Sequence, residues 1–125
     1  MNWIGYALLG VVVLLFIKQM FPMKGLKDLS SEEVSDLLKK PKDFAFIDVR
    51  EVHEYKSGHI KGFKNIPLSQ LSQRLNEIDG NKQIVLTCRS GNRSRTAAKI
   101  LMKNKFPNLA HLKTGISGWS GSLSK

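Results

Sequence analysis

Two runs constrain this chain more than anything else in it. Phe44-Ala45-Phe46-Ile47 runs apolar without alternation into Asp48-Val49, and Gln83-Ile84-Val85-Leu86-Thr87-Cys88 is a second run of the same kind around Ile84-Val85-Leu86. A strand with one wet face alternates apolar and polar residues; a run apolar on both sides reads as a strand covered on both faces, as in parallel sheets. Leu109–Leu112 is a third, weaker candidate strand. Helical patterns lie between them. Ser30 and Glu33 form a capping box that opens a helix carrying Val34, Leu37 and Leu38, which should stop near Pro41. Leu68–Ile78 places Leu71, Leu75 and Ile78 at helical spacings, and Ser94–Lys105 gathers Ala97, Ala98, Leu101 and Met102 on one face. Strands alternating with helices predict an α/β domain around a mostly parallel sheet. At 125 residues there is room for one such domain, with no internal repeat.

Charge is distributed unevenly along the chain. All ten acidic residues fall before position 80, whereas residues 80–125 hold nine Lys/Arg and no acid, within a net charge of +10. Such a tail suits nucleic acid, an anionic lipid surface, small anions, or simply a solvated face. On lipid, each well-placed Lys or Arg contributes about 1 kcal/mol. The interleaving of aromatic and basic residues expected of single-strand binders is missing from the sequence, which argues against a nucleic-acid partner.

The first seventeen residues carry no charged side chain, and Trp3–Ile17 is nearly all apolar. Counting from Asn2 to Phe21 gives twenty residues, enough for a transmembrane helix if Lys18 extends its amine to the headgroups. Trp3 and Tyr6 sit where interfacial aromatics belong. A cleaved signal peptide would want a basic start and a small-residue cleavage site, and neither is present. The expected organisation is therefore an anchor with a short linker over residues 1–23, Pro22–Gly25 breaking the helix, and a domain over residues 24–125. Lys18, Lys24 and Lys27 flank only the C-terminal side of the apolar run, which predicts a single-pass cell-membrane protein with its domain in the cytoplasm.

Cys88 is the single cysteine, so an internal disulfide and a CxxC motif are both excluded. It opens the segment Cys88-Arg89-Ser90-Gly91-Asn92-Arg93-Ser94, at the C-terminal end of a buried strand and just before a helix. In open α/β sheets that crevice is where ligands bind. A short loop entering a helix aims successive N–H groups at one point and makes a nest for an anion. Gly91 allows the tight turn, Asn92 tolerates unusual dihedrals, and Ser94 is a suitable N-cap. Thiols in such electropositive settings are reactive nucleophiles, whereas a cysteine without them is buried filler.

This segment resembles the active loop of the single-domain rhodaneses, a sulfurtransferase family whose loop runs Cys, four residues, then Arg or Lys. Cys88 to Arg93 fits. The likeness extends through Ile47-Asp48-Val49-Arg50-Glu51, Glu54-Tyr55, Gly58-His59-Ile60, Gly62, Asn65-Ile66-Pro67-Leu68 and Gly115-Ile116-Ser117-Gly118-Trp119, covering about residues 26–123. It implies a rhodanese fold, a parallel sheet of about five strands flanked by helices. The related cell-cycle phosphatases carry one more loop residue, so that arginine falls six places after cysteine, where this chain has Ser94. The shorter loop favours sulfur transfer over phosphate hydrolysis.

The resemblance implies that Cys88 takes a sulfane sulfur from a donor and becomes a persulfide. Arg89 to Arg93 supply the N–H cradle, with Ser94 completing the binding loop, and the arginine side chains attract an anionic donor such as thiosulfate. A thiol or cyanide acceptor then removes the sulfur. No cofactor and no metal is implied. A rhodanese-fold adaptor docked on a membrane partner, and a relay fed by a protein persulfide, are the alternative functions. Asp48 and Arg50 read as a structural ion pair and His59 as a hydrogen-bonded turn residue. His53 and His111 read as surface or packing residues, and Trp119 as packing over the sheet end near the loop.

Overall fold

The structure, a computed structural model, describes residues 3–20 and 23–125. Five strands, β1 (Leu26–Leu29), β2 (Phe44–Asp48), β3 (Lys64–Asn65), β4 (Gln83–Thr87) and β5 (Leu109–Leu112), form one sheet in the order β1-β5-β4-β2-β3. Every pairing is parallel. The helices are α1 (Trp3–Met20), α2 (Ser31–Leu37), α3 (Val52–Ser57) and α4 (Asn92–Lys103). This is the α/β architecture around a parallel sheet that the unalternating runs predict, with the five strands that the resemblance implies.

Why those runs do not alternate is visible in the packing. Ile47, Ile84, Leu86 and Leu109 face a core completed by Ala97, Ala98 and Leu101 of α4 and by Leu71. Their neighbours Phe46, Val85, Ala110 and Leu112 face the opposite core, with Val34 of α2, Ile60 and Phe63. Both faces are covered, so both sets must be apolar. Small Ala97 and Ala98, fully buried, bring α4 close to the sheet. Register follows from the same packing. Leu86 of β4 lies opposite His111 of β5, which in turn lies opposite Asp28 of β1.

The capping box holds as expected: Ser30 Oγ accepts the Glu33 N–H and Glu33 accepts the Ser30 N–H, each at 3.1 Å. The helix it opens ends at Leu37, short of Pro41. Two elements differ from expectation. The segment expected as a helix over Leu68–Ile78 is two 3-10 turns, Leu68–Gln73 and Leu75–Glu77. Its start is tied to the sheet by Leu68 N–H donating to Val49 O at 2.9 Å, and three-residue turns still deliver Leu71 and Ile78 to the core. The other is α4, which begins at Asn92 with Gly91 as its cap at φ 102°, so Ser94 lies inside its first turn and is not the N-cap.

Helix α1 exposes every residue whose side chain is described, among them Trp3, Leu8, Leu14 and Phe16. The transmembrane anchor expected from the sequence is not supported: among the described residues no helix is long and apolar enough to cross a membrane. The eighteen residues of α1 rise about 27 Å, against a hydrocarbon core of about 30 Å. Asn2 and Phe21, the ends of the twenty-residue span expected from the sequence, lie outside the described residues, as does Pro22 of the linker.

Candidate active site

Cys88 stands one residue beyond β4, at the carboxyl end of the parallel sheet, and Gly91 caps the twelve-residue α4 three residues later. The thiol is only 1% exposed. Its Sγ accepts the Gly91 N–H at 3.0 Å, the start of the cradle expected from the loop. A sulfur at this point faces the positive end of α4, where an anion is stabilised. Gly91 cannot be replaced without moving something: a Cβ there would stand 2.3 Å from Lys113 O.

A second segment supports the loop from behind. Ile116 N–H donates to Cys88 O at 2.8 Å and Ser117 N–H to Arg89 O at 3.0 Å. Both bonds require Gly115, at φ 64°, to lie against the loop backbone, where a Cβ would come within 2.5 Å of Arg89 O and 2.6 Å of Cys88 O. Trp119, at the end of this segment, packs against the core on the face of Phe46 and Val85.

The remaining loop residues separate into two groups. Arg89, Ser90 and Asn92 are exposed. Ser90, Gly91 and Asn92 border a cleft of about 330 Å³, whose other walls are Arg95, His111, Lys113 and Thr114. Arg93 is engaged within the protein. Its guanidinium makes a two-pronged bond to Glu54 of α3, at 2.5 and 2.9 Å. That bond holds the Glu54 carboxyl down at about 2, with Arg93 raised in turn. Arg93 therefore ties the loop to α3, while Arg89 stands in the open. Ser94 is fully buried; its Oγ lies 2.9 Å from Gly91 O, 3.7 Å from Cys88 Sγ and 2.7 Å from His111 Nδ1.

His111, expected as a surface or packing residue, is packed inside the sheet, and what the sequence did not show is its pair of polar partners. It is 1% exposed and bonded on both ring nitrogens, with Nε2 2.8 Å from Asp28 Oδ1. Burial pushes its pKa down, against the pull of Asp28, and the nearby charges of Arg95 and Lys113 act in the same direction as burial. A signal existed: an imidazole inside a strand covered on both faces needs polar partners on both sides. The other expectations stand. Asp48 and Arg50 form a buried pair, Arg50 Nη2 reaching Asp48 Oδ2 at 2.9 Å and Gly58 O at 2.7 Å. His59 stacks on Tyr55 and bonds its carbonyl at 2.9 Å, and His53 is exposed.

Comparison with known proteins bears on this arrangement directly. The sequence pattern of the Rhodanese-like domain matches residues 30–122. Protein YqhL of Bacillus subtilis (strain 168), described as uncharacterized, is 38% identical over 112 residues, covering 90% of this chain and 86% of its own. A protein named sulfurtransferase from Allochromatium vinosum is 30% identical over 93 residues, covering 74% of this chain and 87% of its own. Among solved structures, a rhodanese-like domain protein from Staphylococcus aureus superposes with a TM-score of 0.70 at 26% identity, covering 78% of this chain and 96% of that one. With its fold and most of its length in agreement, the chain belongs to the rhodanese-like domain family, which includes sulfurtransferases.

Proposed function

We propose that this protein is a sulfurtransferase in which Cys88 carries sulfur as a persulfide. One observation carries the reading: Sγ lies at the mouth of α4, receiving the Gly91 N–H, at the carboxyl edge of the sheet. The thiolate attacks the outer sulfur of a donor such as thiosulfate, the donor's S–S bond breaks, and sulfite leaves with the electron pair. An acceptor thiolate or cyanide then attacks the outer sulfur of the persulfide and releases Cys88 as thiolate. That is a two-step exchange with ping-pong kinetics. Exposed Arg89 is placed to attract the anionic donor, whereas Arg93 holds the loop to Glu54. The test is thiocyanate formation from thiosulfate and cyanide. Cys88→Ser abolishes it with the fold intact; undiminished turnover in that variant overturns the assignment.

We also propose that the chain associates with a membrane surface through α1. From Trp3 to Ile17 the helix exposes apolar side chains, a pattern suited to lipid. Lys18, Lys24 and Lys27 towards its C-terminal end would add attraction to anionic headgroups. Co-flotation of the full chain with lipid vesicles, lost when residues 1–23 are removed, supports the attachment. Equal flotation without them contradicts it.

A further inference from the structure

Beneath the loop, three side chains connect Cys88 to the far edge of the sheet. Ser94 Oγ lies 3.7 Å from Cys88 Sγ, His111 Nδ1 2.7 Å from Ser94 Oγ, and Asp28 Oδ1 2.8 Å from His111 Nε2. The sheet register builds this chain of contacts. Asp28 and His111 are cross-strand partners on β1 and β5, His111 is opposite Leu86 on β4, and Cys88 projects two residues beyond Leu86 on the same face. Ser94 reaches in from the first turn of α4. Sulfur transfer as described above needs no part of the network except the thiol, yet its central members are buried: Ser94 is 0% and His111 1% exposed.

We propose, resting on the assignment of Cys88 as nucleophile, that Ser94, His111 and Asp28 form a proton relay that ionises the Cys88 thiol. His111 takes up the proton, Ser94 passes it and Asp28 is the positioning residue. Neutral His111 donates Nε2–H to the Asp28 carboxylate, and the single Ser94 hydroxyl proton, within reach of both Gly91 O at 2.9 Å and His111 Nδ1 at 2.7 Å, turns from Gly91 O to Nδ1 in the transfer. The Cys88 S–H points at Ser94 Oγ. When the S–H bond breaks, its proton goes to Ser94 Oγ as the hydroxyl proton moves to His111 Nδ1, leaving a thiolate and an imidazolium held by Asp28. No proton is gained or lost. In the return step Cys88 leaves as thiolate, and the proton passes back from His111 through Ser94 to the sulfur.

The surroundings keep His111 neutral at rest, with Asp28 alone favouring its cation. The groups acting on His111 are Asp28 on β1, Arg95 on α4 and Lys113 just after β5. Burial, Arg95 and Lys113 keep the ring neutral and able to accept, while Asp28 stabilises the cation once it forms.

The test reads the thiol rather than sulfur transfer, so it does not depend on any donor. Alkylation of Cys88 by iodoacetamide is followed by intact mass on the full chain in detergent, from pH 6 to pH 9.5. His111→Asn is expected to slow alkylation at pH 7 about tenfold, with the difference closing at pH 9.5, where hydroxide takes over as the base in either protein. Asp28→Asn, at the partly exposed end of the network, is expected to give a smaller loss of the same shape. Should His111→Asn fail to fold, Asp28→Asn carries the decision. Rates unchanged in the folded variants overturn the relay. A loss equal at all pH values also overturns it, since that marks a distorted loop. Normal alkylation profiles with no sulfur transfer would instead count against the sulfurtransferase reading alone.

Discussion

Arg93 and Glu54, thirty-nine residues apart in the chain, form the bond that fastens the Cys88 loop to helix α3. The loop's last arginine is thus committed before any substrate arrives. Because the Glu54 carboxyl is lowered from 4.5 to about 2, it contributes stability above about pH 4.5, and that stability is lost as pH falls towards 2. Arg93 is about a third exposed, so solvent screening reduces the contribution to about 1–2 kcal/mol. Denaturant titrations should show Glu54→Gln less stable by that amount at pH 7 and equal to wild type near pH 2. A constant difference across that range would contradict the ion-pair account.

Arg89, exposed at the loop, is expected to act on donor capture rather than on folding. Arg89→Ala should raise the thiosulfate KM about three- to tenfold, with little change in melting temperature. Equal kinetics with and without Arg89 would remove it from donor binding.

Gly115 sets the position of the loop backbone. Gly115→Ala must relieve both a positive φ and contacts near 2.5 Å with Arg89, so it should cost about 1–3 kcal/mol and reduce sulfur transfer sharply. Gly80→Ala is the matched control, because a Cβ there meets Phe106 at an ordinary 3.6 Å. Activity retained in Gly115→Ala would show that the loop does not depend on this support.

The buried Asp48–Arg50 pair is predicted to be structural. Arg50→Ala leaves a carboxylate that is 0% exposed without its counter-charge, and should destabilise the domain by about 3–5 kcal/mol. Chemical denaturation measures this. A stability change under 1 kcal/mol would show that Asp48 is satisfied some other way.

The central strands and the loop were legible in the sequence because each obeys one strong local rule. Strands β2 and β4 are apolar on both faces, and Cys88 to Ser94 joins a strand to a helix through a glycine. Strand β1 was not legible: Leu26-Lys27-Asp28-Leu29 is four residues long and only its ends are fully buried. Strand β3 is two residues long. Ser94 reads as a cap because serine next to a helix pattern usually is one, but Gly91 already provides the left-handed residue there. His111, Asp28 and Glu54 escaped for a different reason. Their roles are set by partners 17 to 83 residues away, which only strand register and helix packing bring together.

Intact mass of the full chain in detergent, before and after thiosulfate and then cyanide, tests the central claim most directly. The account predicts a gain of one sulfur atom on Cys88, reversed by cyanide and missing in Cys88→Ser. A thiol shown to be free and reactive that gains no sulfur from thiosulfate or from a protein persulfide would contradict it, leaving the fold as a docking module.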